Sequence, residues 1–450
     1  MTVGRLRTCC GKRRSQAVLR ACAGLLVLAA TACATLPAAR PLTAIERRLN
    51  VDSFDYVWTT VRDKHFDPML GGVDWPAVRR ELRPRVERAR SANEARVVMD
   101  EMLSRLKQSH FGIIPAEFYR DVSAARNESP IGGTTGLDAR VIGGRALVTR
   151  VAPGSPADRA GIRTGWEIVR LGNVDVPARL KRAATVYAGR HDREGMLDLV
   201  VVSRLGGQPG SSLAVTLRDG TGRSRMCRLI LAEAEGRMVR IGNLPPVPTW
   251  IRTERLDGRT GYVTFNGFMD PVRLMPLFNQ AMESFMDTDG LVIDLRGNGG
   301  GLGAMPVWMA GWLVAPKGQT LGTATMREGT INLAIRPRPR TYEKPVAVLI
   351  DELAVSAAEV FAQGLKDLGR ARLFGRRTAG IVLMSNVEKL PNGDGFQYVT
   401  GSFVSPKGLV LEGVGVVPDV EVTHTRESLL AGRDLVLEAA VAWIRKGVPS

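Results

Sequence analysis

The chain contains 450 residues, 44% of them hydrophobic, which is enough to build two or three domains with apolar cores. Its formal net charge is +17. No run of basic residues is interleaved with aromatic ones and no nucleic-acid-binding motif occurs, so we expect no nucleic-acid partner. The cysteines and histidines lack zinc-ligand spacing, and we predict neither a metal nor any other cofactor.

Residues 1–32 have the features of an export signal. Basic residues and no acidic ones occur up to Arg20, an apolar stretch covers residues 21–30, and small residues precede Cys33. The apolar stretch is too short to remain as a spanning helix. The tetrapeptide at 30–33, Ala-Thr-Ala-Cys, resembles a bacterial lipobox, which favours lipidation of Cys33 and a periplasm-facing lipoprotein of the bacterial cell envelope. Ordinary signal cleavage after Ala32 would instead leave a soluble periplasmic protein.

The next two segments are a short linker and a helical region. Residues 33–42 are rich in Pro and Ala and form the predicted linker. Apolar residues recur at helical spacing within residues 43–128, which predicts an N-terminal helical region. We expect Trp58 and Trp75 to belong to its core. Once the signal is removed and Cys33 carries lipid, Cys227 is the only remaining cysteine, so no intrachain disulfide is possible.

Residues 129–233 have a different signature. Residues 148–173 predict a strand, a Pro-Gly turn, a short helix, a Gly-Ile-Arg-Thr-Gly turn and another strand. This order resembles a PDZ domain, a fold that binds peptide C-termini by strand addition. Trp166 stands where such domains usually have Asp, and Asp138 lies in the loop that would hold a carboxylate, which it would repel. A purely structural or lid-like role for this segment is the alternative.

A glycine-rich loop follows a buried strand in the segment 234–450, the predicted catalytic core. Leu-Val-Ile at 291–293 runs into Asp-Leu-Arg-Gly-Asn-Gly-Gly-Gly at 294–301. Consecutive glycines allow close approach of the backbone to a ligand and can direct N–H groups at it. The same loop could bind phosphate or only turn the chain, although it matches neither common nucleotide-binding spacing.

A second strand passes into a helix at Ser356. Residues 345–350 are uniformly apolar, as in a buried central strand. Ser356 opens the following helix, where free N–H groups favour negative charge, so its hydroxyl could be a nucleophile. The alternative is structural, because Ser356 and Glu359 form the Ser-x-x-Glu pattern of a capping box. Asp351 and Glu352 are interpreted as turn residues.

Two further candidates lie far from Ser356 in sequence. His110 follows Ser109 after the helical region, and it is one of only four histidines, so few residues can act as a neutral-pH base. Glu412 follows an apolar run predicted as a strand over 409–411, and a partly buried carboxylate there would need a partner. Each could alternatively be a solvated surface residue.

Together these segments resemble the tricorn-core branch of the C-terminal processing protease family, which are serine peptidases. The resemblance covers most of the chain after the signal. It implies an α/β fold, with a crotonase-like core, an N-terminal helical region and an inserted PDZ-like domain. It also implies the following roles: nucleophile Ser356, base His110, orienting residues Ser109 and Glu412, and oxyanion donors Gly299 or Gly300 and Ala357.

One departure bears on the choice of branch. The processing proteases proper have a catalytic Lys in a Gly-Lys-Gly context after the nucleophile, and Ile381 stands at that place here. Lys366 lies ten residues beyond Ser356 on the same predicted helix, about 15 Å away, and cannot reach it. His110 is then the only plausible base.

The sequence therefore predicts an exported serine endopeptidase that hydrolyses peptide bonds of proteins or peptides. The alternative is a catalytically inactive peptide-binding or scaffold lipoprotein of the same fold. A crotonase-like acyl-thioester enzyme is a third possibility, which the export signal disfavours because such substrates are normally cytosolic.

Overall fold

The structure is a computed structural model that describes residues 41–120, 132–315 and 317–447. The predicted signal, Cys33 and most of the predicted linker lie outside the described residues. Among the helices that are described, none combines the length and apolar character needed to cross a membrane.

Three helices form the first part of the chain: α1 (Ala44–Lys64), α2 (Trp75–Glu87) and α3 (Ala92–Ser104). Each begins after a side chain that accepts a hydrogen bond from the first turn, namely Thr43, Asp74 and Ser91. Their apolar faces form one core, which includes the buried Trp75 and the half-buried Trp58.

The third of these helices ends at Ser104. The chain continues into a short buried strand, β1 (Gly112–Ile114), and a single turn, α4 (Glu117–Arg120). Gly112 pairs with Gln397 and Ile114 with Gly395, so β1 leaves the helices and joins a sheet formed by the end of the chain.

The middle of the chain is a mostly antiparallel β-structure with three helices. Its main sheet has the strand order β3-β4-β5-β8-β9, with β6 as a sixth strand paired to β5, and β2, β7 and β10 form a smaller sheet. The bounds are β2 (Gly133–Thr134), β3 (Leu137–Ile142), β4 (Arg145–Val151), α5 (Pro156–Arg159), β5 (Glu167–Leu171), β6 (Val174–Asp175), α6 (Val176–Val186), α7 (Arg193–Val202), β7 (Gly206–Gly207), β8 (Ser212–Arg218), β9 (Ser224–Ile230), β10 (Ala232–Glu233) and β11 (Arg237–Val239).

The remaining elements alternate between strands and helices. Their bounds are β12 (Val247–Thr249), β13 (Ile251–Leu256), β14 (Thr260–Phe265), α8 (Pro271–Ser284), β15 (Gly290–Asp294), α9 (Ala304–Ala310), β16 (Thr320–Met326), β17 (Gly329–Ala334), β18 (Val346–Ile350), α10 (Ala357–Asp367), β19 (Arg372–Gly375), β20 (Met384–Lys389), β21 (Gly395–Val404), β22 (Val420–Glu421), α11 (Arg426–Leu430) and α12 (Leu435–Lys446).

A six-stranded sheet in the order β13-β14-β15-β18-β19-β22 forms the centre of this part. Only β13 and β14 pair antiparallel, and the other neighbours are parallel. Every residue of β15 and β18 is buried, which agrees with the uniformly apolar strands predicted there. The chain thus has a mixed α/β fold, as expected.

A second sheet joins the N-terminal region to the core. Its order is β1-β21-β16-β17, and β20 also pairs with β21, along residues 395–401. Through this sheet, the turn that carries Ser109 and His110 is held beside the last third of the chain.

One predicted element differs in the structure. The strand predicted over 409–411 is wrong, because Val410 forms only an isolated bridge with Val404. A turn closed by the Gly408 amide and the Ser405 carbonyl folds the chain back at once, which leaves Leu409 and Val410 exposed.

Candidate active site

Ser356 lies in the turn between β18 and α10, in a conformation that L-residues rarely adopt. Its φ is 57° and its ψ is −118°, a strained backbone of the kind that concentrates at functional sites. The Ser356 amide donates to the Ile381 carbonyl (2.9 Å) and to the Glu359 carboxylate (3.0 Å). The Glu359 amide, however, donates to the Ser356 carbonyl at 2.8 Å. Ser356 and Glu359 thus have the arrangement of a capping box, but the Glu359 amide bonds to the Ser356 carbonyl, and the Ser356 hydroxyl makes no cap hydrogen bond of its own.

His110 lies in the turn between α3 and β1 and is buried, with 3% of its surface exposed. Its Nδ1 is 2.8 Å from the Ser109 hydroxyl. Burial disfavours the charged imidazolium and lowers the pKa of His110 from its usual 6.5 to about 4. The ring is therefore neutral near pH 7, which is the state that a general base requires.

Three donors converge on the carboxylate of Glu412. They are the Ser109 amide (2.9 Å), the Ser109 hydroxyl (3.0 Å) and the Val382 amide (3.0 Å). An ionised carboxylate only accepts, so the single hydroxyl proton of Ser109 goes to Glu412. The hydroxyl oxygen must then accept the proton of His110 Nδ1, which leaves Nε2 as the accepting nitrogen of the ring.

The structure brings Ser109, His110 and Glu412 into direct contact and connects Ser356 to them through one peptide group. Ile381 accepts from the Ser356 amide, and the next amide, that of Val382, donates to Glu412. In the described part of the chain, no hydrogen bond joins the Ser356 hydroxyl to the His110 ring.

The glycine loop packs directly on the Ser356 turn. Gly300 has a φ of 78°, and a Cβ added there would lie 2.8 Å from Ser356 Cβ and 3.2 Å from the Ala357 amide nitrogen. Only glycine fits this approach.

The three predicted oxyanion donors differ in their hydrogen bonds. The Gly299 amide donates to the Asn266 carbonyl (3.2 Å), and the Gly300 amide donates to the Asn298 side chain (3.0 Å). The Ala357 amide, at the start of α10, has no partner within the described ranges. Among these three amides, only that of Ala357 is thus free to donate to a substrate oxygen, whereas those of Gly299 and Gly300 already donate to other groups.

Asp351 has a larger role than the turn residue predicted from sequence. One of its oxygens accepts from the Gly297 amide (2.8 Å) at the start of the glycine loop. The other accepts from Arg140 of β3 at 3.0 and 2.6 Å. The neighbouring Glu352 is also buried and pairs with Arg376 (2.7 Å). The sequence did contain one signal for a functional position, because both acids stand at the carboxyl end of an apolar parallel strand.

A cavity of about 940 Å³ lies between the middle region and the core. Its walls include Asp138 and Arg140 on one side and Gly299 and Gly300 on the other. Ser356 and His110 are not among its lining residues, so this space reaches the glycine loop but not the serine itself.

Lys366 is engaged elsewhere, as its place on the helix predicted. Its Nζ pairs with Asp419 (2.9 Å) and donates to the Val417 carbonyl (2.8 Å). Across residues 41–120, 132–315 and 317–447, no three His, Cys, Asp or Glu side chains are grouped as metal ligands would be.

Two family models match the chain. Residues 259–422 match peptidase family S41, and residues 52–104 match the tricorn protease C1 domain. The first of these covers all strands of the six-stranded sheet except β13, together with the glycine loop, Ser356 and Glu412.

Curated relatives match over most of the chain. The chloroplastic carboxyl-terminal-processing peptidase 3 of Arabidopsis thaliana is 27% identical, over 86% of this chain and 70% of the relative. The carboxyl-terminal-processing protease of a Picosynechococcus strain is 24% identical, over 80% of each chain. Among solved structures, the photosystem II D1 C-terminal processing protease shares the fold, with a TM-score of 0.53, 22% identity and coverage of 88% of this chain and 99% of that one.

These matches agree with the resemblance drawn from the motifs, and they do not favour the alternative of an inactive binding protein. Peptidases of this kind act on proteins or peptides. The chain is a serine-type peptidase of the tricorn-core, C-terminal processing kind, and residues 259–422 carry its match to peptidase family S41.

Proposed function

We propose that the protein is an exported endopeptidase in which Ser356 is the nucleophile and His110 the general base. One observation supports these roles above all others. A buried neutral imidazole, a hydroxyl and a carboxylate form a continuous hydrogen-bonded chain, from His110 through Ser109 to Glu412. That chain is connected to the backbone of a strained serine at the start of a helix.

The proton path follows from this arrangement. Ser356 Oγ attacks the carbonyl carbon of the scissile peptide bond while its proton passes to His110 Nε2. The imidazolium returns the proton to the leaving amine, and water then hydrolyses the acyl-enzyme by the same route. Ser109 and Glu412 hold the ring in the tautomer with the proton on Nδ1 and stabilise the positive charge that develops. The Ser356–His110 hydrogen bond forms when substrate binds, as catalytic hydrogen bonds often do.

The oxyanion hole is built around the Ala357 amide. This N–H is open and lies at the first position of α10, where the helix dipole favours negative charge. Gly299 or Gly300 supplies the second donor. The Gly299 bond to Asn266 is long, at 3.2 Å, and is the easier of the two to exchange for a substrate oxygen.

We assign the parts of the fold as follows. Residues 234–450 form a crotonase-like core, residues 129–233 form a PDZ-like domain inserted between the core and the N-terminal helical region at 43–128, and residues 33–42 are a linker. The sheet with the order β3-β4-β5-β8-β9 and the helices that flank it support the PDZ-like assignment. Arg150 pairs with Asp138 (2.6 Å) in the loop that would hold a peptide carboxylate. That pairing offsets the repulsion expected from the acid.

The remaining proposals concern location. Residues 1–32 direct export, and Cys33 carries the lipid that anchors the protein in the bacterial envelope, facing the periplasm. Protein or peptide substrates from that compartment reach the glycine loop through the cavity between the PDZ-like domain and the core.

Labelling with a fluorescent fluorophosphonate tests the nucleophile. We expect the wild-type protein to be labelled, and Ser356→Ala and His110→Asn to reduce the labelling rate by at least about 100-fold, because a triad without its nucleophile or base loses nearly all activation. Ser211→Ala, which changes an exposed serine, serves as the control. Full labelling of Ser356→Ala would remove Ser356 from the mechanism.

A further inference from the structure

Glu359 is a buried carboxylate that accepts four hydrogen bonds. It lies one turn after Ser356 on α10 and has no solvent exposure. Its donors are the Thr378 hydroxyl and the amides of Gly380 (2.8 Å), Ile381 (3.0 Å) and Ser356 (3.0 Å). All four are uncharged, so the ion is stabilised by hydrogen bonds alone.

A helix cap would require only one of these bonds. The bond from the Ser356 amide belongs to the capping pattern, but the other three come from residues 378–381, which lie beyond the end of α10. Burying a carboxylate costs several kcal/mol unless its lone pairs are satisfied. Four donors aimed at one carboxylate therefore indicate a site built around it.

Glu359 joins the two halves of the proposed site. On one side it holds the backbone of Ser356, whose φ and ψ are strained. On the other side it holds Ile381, and the next amide, that of Val382, donates to Glu412. The carboxylate therefore lies between the nucleophile and the group that orients the base.

A second set of contacts extends this connection to the loop that carries Glu412. The Thr378 hydroxyl, which donates to Glu359, accepts from the Val416 amide (2.7 Å). The Gly380 carbonyl accepts from the Gly413 amide (2.9 Å). Two residues that follow Glu412 in the chain are thus tied to two of the residues that bind Glu359.

We propose that Glu359 is a positioning residue that holds the Ser356 turn, the segment 378–382 and the Glu412 loop as one unit, and so sets the nucleophile in register with its base. This inference rests on the proposed function. Ile381 takes part through its backbone alone, because its carbonyl accepts from the Ser356 amide and its amide donates to Glu359.

The test compares Glu359→Gln with wild type by the rate of fluorophosphonate labelling of Ser356, corrected for the folded fraction. Gln has the same shape, but its NH2 group replaces one carboxylate oxygen and cannot accept from the N–H donor that faces it, whichever way the amide is turned. We expect the maximal labelling rate to fall at least 10-fold, with the apparent probe affinity changed less than about 3-fold. Glu46→Gln, which changes the matching glutamate of the exposed capping box on α1, should match wild type.

Two further measurements separate positioning from simple stabilisation. Burial raises the pKa of Glu359 to about 7, so wild-type labelling should decline below that pH, and the decline should be absent in Glu359→Gln. Thr378→Val removes one donor and should give an intermediate loss, which Thr378→Ser restores. These variants keep the test decisive if Glu359→Gln does not fold.

The outcomes are distinguishable from those of the proposed function. Wild type labelled at Ser356, with Glu359→Gln and Thr378→Val labelled equally fast per folded molecule, overturns the role of Glu359 and leaves the nucleophile assignment intact. Wild type that is not labelled at Ser356 overturns both.

Discussion

Hydrogen-bond partners determine the chemistry available to single residues in this site. His110 Nδ1 contacts Ser109, whose proton is committed to Glu412, and the direction of each bond follows from the fact that a carboxylate only accepts. The order of motifs in the sequence named these three residues. The tautomer of the ring depends on contacts between residues distant in sequence, so no local pattern could supply it.

The buried ring of His110 makes stability depend on pH. Its pKa is about 4 in the folded protein and about 6.5 when exposed, so the unfolded chain binds the proton more tightly. The neutral ring therefore contributes about 3 kcal/mol to the free energy of unfolding. This contribution is fully present above pH 6.5 and is lost as pH falls toward 4.

Unfolding of wild type and His110→Asn, followed by urea denaturation at several pH values, measures this effect. The free energy of unfolding of wild type should fall by up to about 3 kcal/mol more than that of the variant between pH 7 and pH 4. The titration of Glu359 is common to both proteins and cancels in the difference. Parallel curves for the two proteins would contradict the assignment of a buried neutral ring.

Close packing between elements controls the backbone of the site. Gly300 approaches the Ser356 turn so closely that an added Cβ would meet backbone atoms, including the Val355 carbonyl oxygen at 2.8 Å. All of these atoms belong to residues 355–357 at or next to the backbone, so no flexible side chain could move aside.

Gly300→Ala should therefore displace the glycine loop from Ser356 and reduce labelling and peptide hydrolysis by about 100-fold, the usual effect of a misplacement near 1 Å. Gly303→Ala is the matched control in the same loop. Gly303 has a helical φ of −59° and open space around its Cα, so its variant should keep wild-type activity. Equal activity of the two variants would show that the close approach has no catalytic importance.

Elements with strong patterns were predicted well, and those that depend on their neighbours were not. The uniformly apolar β15 and β18 lie where expected. The apolar residues 409–411 looked like a strand, but the turn at Ser405 and Gly408 folds them back and no sheet receives them. The sequence indicated only a capping role for Glu359. Three of its hydrogen-bond donors come from residues 378–381, and no helical pattern connects that segment with Glu359.

The whole molecule is connected by buried charges between its regions. Arg140 of β3 pairs with Asp351 of the core, and both side chains are largely buried, with 15% and 10% exposed. Asp351 also holds the glycine loop through the Gly297 amide. The order of the regions was predicted from motifs, but this pairing was not, since no pattern marks Arg140 and the position of Asp351 after its strand does not indicate a partner.

Arg140→Ala should destabilise the protein by about 3 kcal/mol, because it leaves the Asp351 carboxylate buried without its charged partner. Arg150→Ala breaks the Arg150–Asp138 pair in the same region, where both side chains are over 40% exposed, and should cost less than about 1 kcal/mol. Chemical denaturation measures both. Similar losses for the two variants would mean that the Arg140 pair is no more important than a surface contact.

The pairing of β1 with β21 has a consequence for when the site can form during synthesis of the chain. The histidine is synthesised early, but the strand that seats it, at residues 395–397, and the carboxylate that orients it, Glu412, are made near the end. Translation must therefore be almost complete before the enzyme can hydrolyse any peptide bond. The connectivity thus protects the nascent chain from its own proteolytic activity during most of its synthesis.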